Sequence, residues 1–192
     1  PEPIVPLRLF RDRTTTLAIV ASIAIGVAMF GSSVFLGQYL QISRGYSPTA
    51  AGLLTLPMVG GLLISSTVSG ILITRSGRWK GYLVAGSLLV VLGVARLGTI
   101  DPETHMVLLG AFLFVLGVGI GMTMQNLVLA VQNTVAARDL GAASSAVAFF
   151  RSLGGTIGVS VLGAVLSSRV GDLIAEGLAG VPGAAQGASS GE

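Results

Sequence analysis

The chain has 192 residues, 52% of them hydrophobic and only 10% charged, with a formal net charge of +3 and a mean hydropathy of +0.87. A soluble domain carries about 25% charged residues, so this composition excludes an ordinary water-facing surface, and the long apolar runs indicate an integral membrane protein. The positive balance then needs no nucleic-acid partner, and the absence of cysteine excludes a disulfide framework, a thiol nucleophile and a thiolate metal site.

The chain opens Pro-Glu-Pro, with neither Met nor a signal peptide, and reads as a piece of a longer protein. After the basic stretch "RLFRDR", a first span runs from about Thr16 to Leu40. "QISRGYSP" leads to a second, about Ala50 to Ile73. "TRSGRWK" leads to a third, about Gly81 to Leu97. "GTIDPETH" precedes a fourth, about Met106 to Val131, and "QNTVAARDLG" a fifth, about Ala142 to Ser167. Each run suits a bilayer crossing, which takes roughly 20 residues. A helix satisfies its own backbone in hydrocarbon. A barrel would need alternating segments of about 10 residues, and these runs do not alternate. The expected fold is therefore all-α, a polytopic transmembrane bundle over residues 1–168. Residues 169–192 are rich in Gly, Ala and Ser and read as a flexible outer loop or truncated end. Five spans leave the tail outside with no returning helix, so at least one more span is expected beyond residue 192.

Basic residues set the orientation. With the N-terminus in the cytoplasm, Arg8, Arg11, Arg13, Arg75, Arg78, Lys80 and Arg138 lie inside, and Arg44, Arg96 and Arg169 outside. The expected location is the plasma membrane.

Glycines recur within the spans. Gly117 with Gly121, and Gly154 with Gly158, form G-x-x-x-G pairs. Such spacing lets helix backbones approach closely. Pro57 lies inside the second span and is expected to kink it. Gln125 and Asn126 place two amides inside the fourth span, as interhelical glue or as substrate contacts. His105, the only histidine, borders an outer loop. No metal site, cofactor or nucleophile–base pair is indicated, so the chain is not expected to be an enzyme.

Arg151 sits about nine residues into the fifth span, roughly 13 Å deep at a helical rise of about 1.5 Å per residue. An arginine at the bilayer centre costs about 2.5–3.5 kcal/mol on insertion scales. Arg151 should therefore face a bundle interior or a wet cavity. It either caps carbonyls of a neighbouring helix or serves a substrate or coupling pathway. No Asp or Glu lies inside any of the five expected spans. If the protein is a proton-coupled pump, its acidic site lies in a part of the protein outside this chain.

Several stretches together resemble one family. "LRLFRDRTTTLA" resembles the lead into the second half of major facilitator transporters of the 14-span drug:proton antiporter type. "LQISRGYSPTAAGLLTLP" resembles that family's outer turn and Pro-bearing next helix. "GILITRSGRWK" resembles the facilitator loop motif G-x-x-x-D-R-x-G-R-[RK], through Gly70, Arg75, Gly77, Arg78 and a displaced Lys80, with Thr74 in place of its Asp. "LGVGIGM" and "GAASSAVAFFRSLGGTIGVSVLGAVL" resemble the two helices that follow. The resemblance spans about residues 7–168. It implies five spans of a C-terminal half, built from inverted repeats, with a substrate site near the midplane. It implies a proton-coupled efflux antiporter of drugs or amphipathic small molecules. An importer or metabolite exporter on the same fold, or a non-transporting scaffold subunit, are the alternatives. The implied partners are the lipid bilayer, a small-molecule substrate, protons and the missing N-terminal half. Spans one and four would line the cavity, and span five would meet the other half, where Arg151 could face an acidic group.

The orientation has a direct check. Single cysteines at Ser76 and Thr104 should label from opposite faces of the membrane, Ser76 only from inside. Labelling of both from outside in intact cells would overturn the assignment.

Overall fold

The computed structural model describes residues 12–101 and 104–179. Arg8, Arg11, the rest of the N-terminal basic stretch before Asp12, and the tail from Gly180 onward lie outside the described residues. Six α-helices follow one another: α1 Arg13–Arg44, α2 Pro48–Leu53, α3 Leu56–Ser76, α4 Trp79–Leu97, α5 Met106–Gln132 and α6 Leu140–Ala179. A 3-10 turn, Ala137–Asp139, leads into α6. There is no strand among the described residues. Taking α2 and α3 as one run, five helical stretches are long and apolar enough to cross a membrane. The all-α bundle expected from the sequence is the fold observed.

Local chemistry fixes the ends. The Asp12 carboxylate accepts from the Thr15 N–H at 2.8 Å and starts α1. Gly45 ends it at φ 65°, a left-handed position that glycine adopts without a Cβ penalty. Gly77 closes α3 in the same way, at φ 67°.

Two expectations need correction. Pro57 does not kink a continuous helix. The chain breaks earlier, at Leu54 and Thr55, and Pro57 stands in the first turn of α3. There its missing N–H would have had no helical partner anyway. Residues 169–179, expected in a flexible loop, are also helical. Val170, Leu173 and Ile174 continue the apolar run across Arg169 and Asp172, and α6 reaches 40 residues in all.

Helix α5 is the centre of the bundle. It packs against α3 and α4, and more lightly against α1 and α6, while α1 packs against α6. Leu109, Leu113, Leu116, Ile120, Leu127 and Val131 of α5 are buried. Outward-facing Leu63, Ile64, Leu88, Val91, Val161 and Val165 are exposed, as on a lipid-facing surface.

Glycine sets the closest contacts. On α1 and α6, Gly26 lies directly against the Arg151 carbonyl oxygen. A Cβ at Gly154 would stand 2.7 Å from the Ile23 carbonyl oxygen, and one at Gly155 would meet the Phe30 ring. On α5 and α3, Gly117 lies against the Met58 carbonyl oxygen. A Cβ at Gly61 would stand 2.5 Å from the Phe114 carbonyl oxygen, and one at Gly121 would meet Leu62. The two sets correspond residue by residue. Ile23, Gly26 and Phe30 match Phe114, Gly117 and Gly121; Arg151, Gly154 and Gly155 match Met58, Gly61 and Leu62. One helix crossing therefore occurs twice in the chain. Helix α4 closes on α5 by the same means, with Gly93 2.8 Å from Leu116 and Gly119 2.6 Å from Val90, each measured from an added Cβ.

Overfilling a tight contact typically costs about 1–3 kcal/mol. Gly26→Val and Gly117→Val should each lower the melting temperature in detergent and the amount of folded protein. Gly37→Ala and Gly60→Ala, with nothing within 4 Å, should leave both unchanged.

Candidate functional site

Arg151 is half-buried on α6. Its own backbone is pinned by Gly26 of α1. Among the described residues its guanidinium has no hydrogen bond or ion pair, so no carbonyl is capped by it. Beside it runs an exposed polar face. Ser152, Thr156 and Ser160 recur one helical turn apart and are all exposed. Their hydroxyls bond back into α6: Thr156 Oγ1 donates to the Ser152 carbonyl at 3.1 Å and Ser160 Oγ to the Thr156 carbonyl at 3.0 Å. The stripe is thus locally satisfied and polar without being charged.

The two amides of α5 point apart. Gln125 is exposed, its Cγ 3.9 Å from where a Cβ would stand on Gly70 of α3. Asn126 is completely buried. Its Nδ2 donates to the Met122 carbonyl at 2.6 Å, and its Oδ1 is buried with no hydrogen-bond partner. Of the two, Asn126 is thus enclosed within the bundle and Gln125 is open. No hydrogen bond joins Arg151 to either amide.

The loop-motif residues gather where α3 meets α4. Arg75, Gly77 and Arg78 are exposed, and Gly77 makes the turn, its N–H donating to the Ile73 carbonyl at 2.8 Å. Thr74 Oγ1 donates to the Gly70 carbonyl at 2.6 Å. The position where the motif carries Asp is therefore occupied within its own helix and offers no charge. Gln132 Nε2 reaches Ser144 Oγ at 3.3 Å and joins α5 to α6. His105 stands before the first residue of α5 as its N-cap.

One residue escaped the sequence reading. Arg44, in the last turn of α1, donates through Nη2 to the Asp101 carbonyl at 3.0 Å and the Thr104 carbonyl at 2.7 Å. The sequence signal was only a basic residue at a helix C-terminus, which is common for dipole reasons. Below it, a cavity of about 240 Å³ opens between α1 and the end of α4, lined by Ser32, Phe35, Tyr39, Leu97 and Ile100. A second, of about 380 Å³, lies between α1 and α6 and is lined by Phe35, Gln38, Gly163 and Ser167. No cluster of His, Cys, Asp or Glu suited to a metal ion occurs among the described residues.

Apolar helices joined by repeated close crossings match the sequence comparison. Residues 1–159 match the Major Facilitator Superfamily. The chain belongs to that superfamily. It is 43% identical to an uncharacterized MFS-type transporter of Mycobacterium tuberculosis, over 93% of this chain and 27% of that protein. It is 34% identical to the multidrug transporter protein MdtP of Bacillus subtilis, over 92% of this chain and 32% of that protein. It is 36% identical to a tetracycline resistance determinant of Streptomyces rimosus, over 90% of this chain and 51% of that protein. The chain thus spans between about a quarter and a half of the length of these relatives. As a facilitator, it is a multi-pass membrane protein of a transporter family.

Asn126 gives a test that separates fold from function. Replacing a buried polar group by an apolar one of similar shape can be neutral or stabilising. Asn126→Leu should keep or raise the melting temperature of the full-length protein. If the free Oδ1 serves substrate or coupling, transport should fall about tenfold, the scale of one lost hydrogen bond of about 1.5 kcal/mol. Unchanged transport would assign Asn126 to helix packing alone.

Proposed function

We propose that this chain is part of the C-terminal half of a proton-coupled efflux antiporter that exports drugs or amphipathic small molecules by alternating access. The observation that carries the reading is Arg151: a charged side chain deep in an apolar helix, with no partner among the described residues. An unpaired charge in hydrocarbon is costly. Its partner is then a group that the rest of the protein, the substrate or water brings to it. The polar face of Ser152, Thr156 and Ser160 beside it suits a surface that meets water or another protein segment rather than lipid. Gln125 and Asn126 supply uncharged hydrogen-bonding groups on α5. The direction of transport rests on relatives named for multidrug transport and tetracycline resistance.

In this reading the N-terminus is cytoplasmic and the protein lies in the plasma membrane. The other half of the protein supplies the carboxylate that takes up the proton. Arg75 and Arg78 hold the cytoplasmic ends of α3 and α4 by contact with anionic headgroups or with that half. The glycine crossings keep α1, α3, α5 and α6 rigid enough to rock as a unit.

Substitution at Arg151 tests this. Removing one partner of a buried pair typically costs about 3–5 kcal/mol. Lys keeps the charge and loses the planar fork, so it should rescue only partly. In the full-length protein, transport should fall in the order Arg, Lys, Gln, with membrane abundance less affected. If Arg151→Gln transports as well as wild type at equal abundance, Arg151 is a passive residue of helix packing. If neither variant accumulates, its role is folding.

A further inference from the structure

Hydrogen bonds from side chains in the described residues are almost all local, made within one helix or turn. Arg44 is the exception over the longest span of chain. Its Nη2 donates to the Asp101 and Thr104 carbonyls, 57 and 60 residues away. These carbonyls belong to the connection from α4 to α5. Asp101 and Thr104 are also linked to each other: the Thr104 N–H donates to the Asp101 carbonyl at 2.9 Å, and the Asp101 N–H donates to Thr104 Oγ1 at 3.0 Å. Arg44 therefore holds two residues that already hold one another, with both acceptors on one nitrogen. Hydrogen bonds from a charged donor are stronger than neutral ones. Its Nε is buried without a partner, while its bond to the Asp101 carbonyl stays open to water.

The elements it joins are the equivalent members of the two glycine crossings. Helix α1 carries Ile23, Gly26 and Phe30; α5 carries the matching Phe114, Gly117 and Gly121. These two helices touch without a close glycine contact of their own. At the Arg44 end the tie runs from the last turn of α1 to the turn that feeds α5. The cavity of about 240 Å³ next to it leaves α1 and α4 loosely packed there, with the Tyr39 hydroxyl buried and unpartnered. Leu40 and Leu109 keep the apolar core closed at this end, and the Arg44 tie adds a polar link beside the cavity.

We propose that Arg44 is a positioning residue that ties the end of α1 to the α4–α5 turn, so that α1 and α5 tilt as one body during transport. The proposal rests on the transport reading above. The tie is static, rather than a gate that opens in each cycle, because both acceptors are backbone carbonyls, which no change of protonation removes.

The test uses the full-length protein in membrane vesicles. Arg44→Ala should lower the maximal transport rate per molecule about tenfold, the factor that one charge-assisted hydrogen bond represents, and leave half-saturation within about twofold. Arg44→Lys, with one donor nitrogen still in reach, should recover part. Arg44→Cys with Thr104→Cys should be slow when free and recover when bridged by a bifunctional thiol reagent. A readout independent of transport is a cysteine at Leu109, which is buried at the start of α5. Its labelling should quicken when Arg44→Ala is added. Full transport by Arg44→Ala, or arrest on bridging, would overturn the proposal. If Arg44→Ala does not accumulate, the bridged pair decides: renewed transport supports the tie, and accumulation without transport refutes it. If wild type moves no substrate, the transport reading fails, and Leu109 labelling still scores the tie: faster labelling with Arg44→Ala keeps it, unchanged labelling refutes it.

Discussion

The structure depends on one interaction above the rest, the contact of a glycine α-carbon with a carbonyl oxygen on a facing helix. In hydrocarbon there is no hydrophobic drive to bring helices together, because lipid is as apolar as leucine. What remains is dispersion, and dispersion rewards only near contact. Gly26 against Arg151 and Gly117 against Met58 bring whole backbones into that range. Every larger feature follows. Helix α5 can be surrounded by four neighbours because Gly117 and Gly121 on one face and Gly119 on another make it thin. Arg151 can sit deep because its backbone is locked while its side chain is left free.

The helices were legible in the sequence, since 20-residue apolar runs admit almost no other reading. The G-x-x-x-G pairs were legible too, as Gly154 and Gly158 are where α6 meets α1. The correspondence between the crossings was not. It links Gly26 with Gly117 and Gly61 with Gly154, and these stand in no shared motif. The identical geometry arises from backbone positions rather than from side-chain types, so a comparison of letters does not find it.

The misread elements have a common physical origin. Pro57 lies among apolar residues, and composition cannot tell a kink from a start. The decision was made two residues earlier, where the chain turns at Leu54 and Thr55. The stretch after Ser168 looked loose because Gly, Ala and Ser dominate the end of the chain, yet Val170, Leu173 and Ile174 keep α6 intact. At the candidate site, Arg151 stood out because charge is rare in an apolar run. Gln125 and Asn126 are neighbours in sequence, but a helix turns about 100° between them. Only the folded chain shows that one faces outward and the other is enclosed. Arg44 was invisible because its acceptors are carbonyls, which every residue has.

The length of α6 has a mechanical consequence. At about 1.5 Å per residue its 40 residues extend about 60 Å, twice a hydrocarbon thickness of about 30 Å. It is held to α1 from Gly154 to Gly163, where Phe35 reaches it. From Gly163 to Ala179 the remaining arm measures about 24 Å. A tilt of about 10° at the last contact would sweep the tip through about 4 Å. Pivoted there, α6 would act as a lever that turns small adjustments at a glycine contact into displacements the size of a side chain.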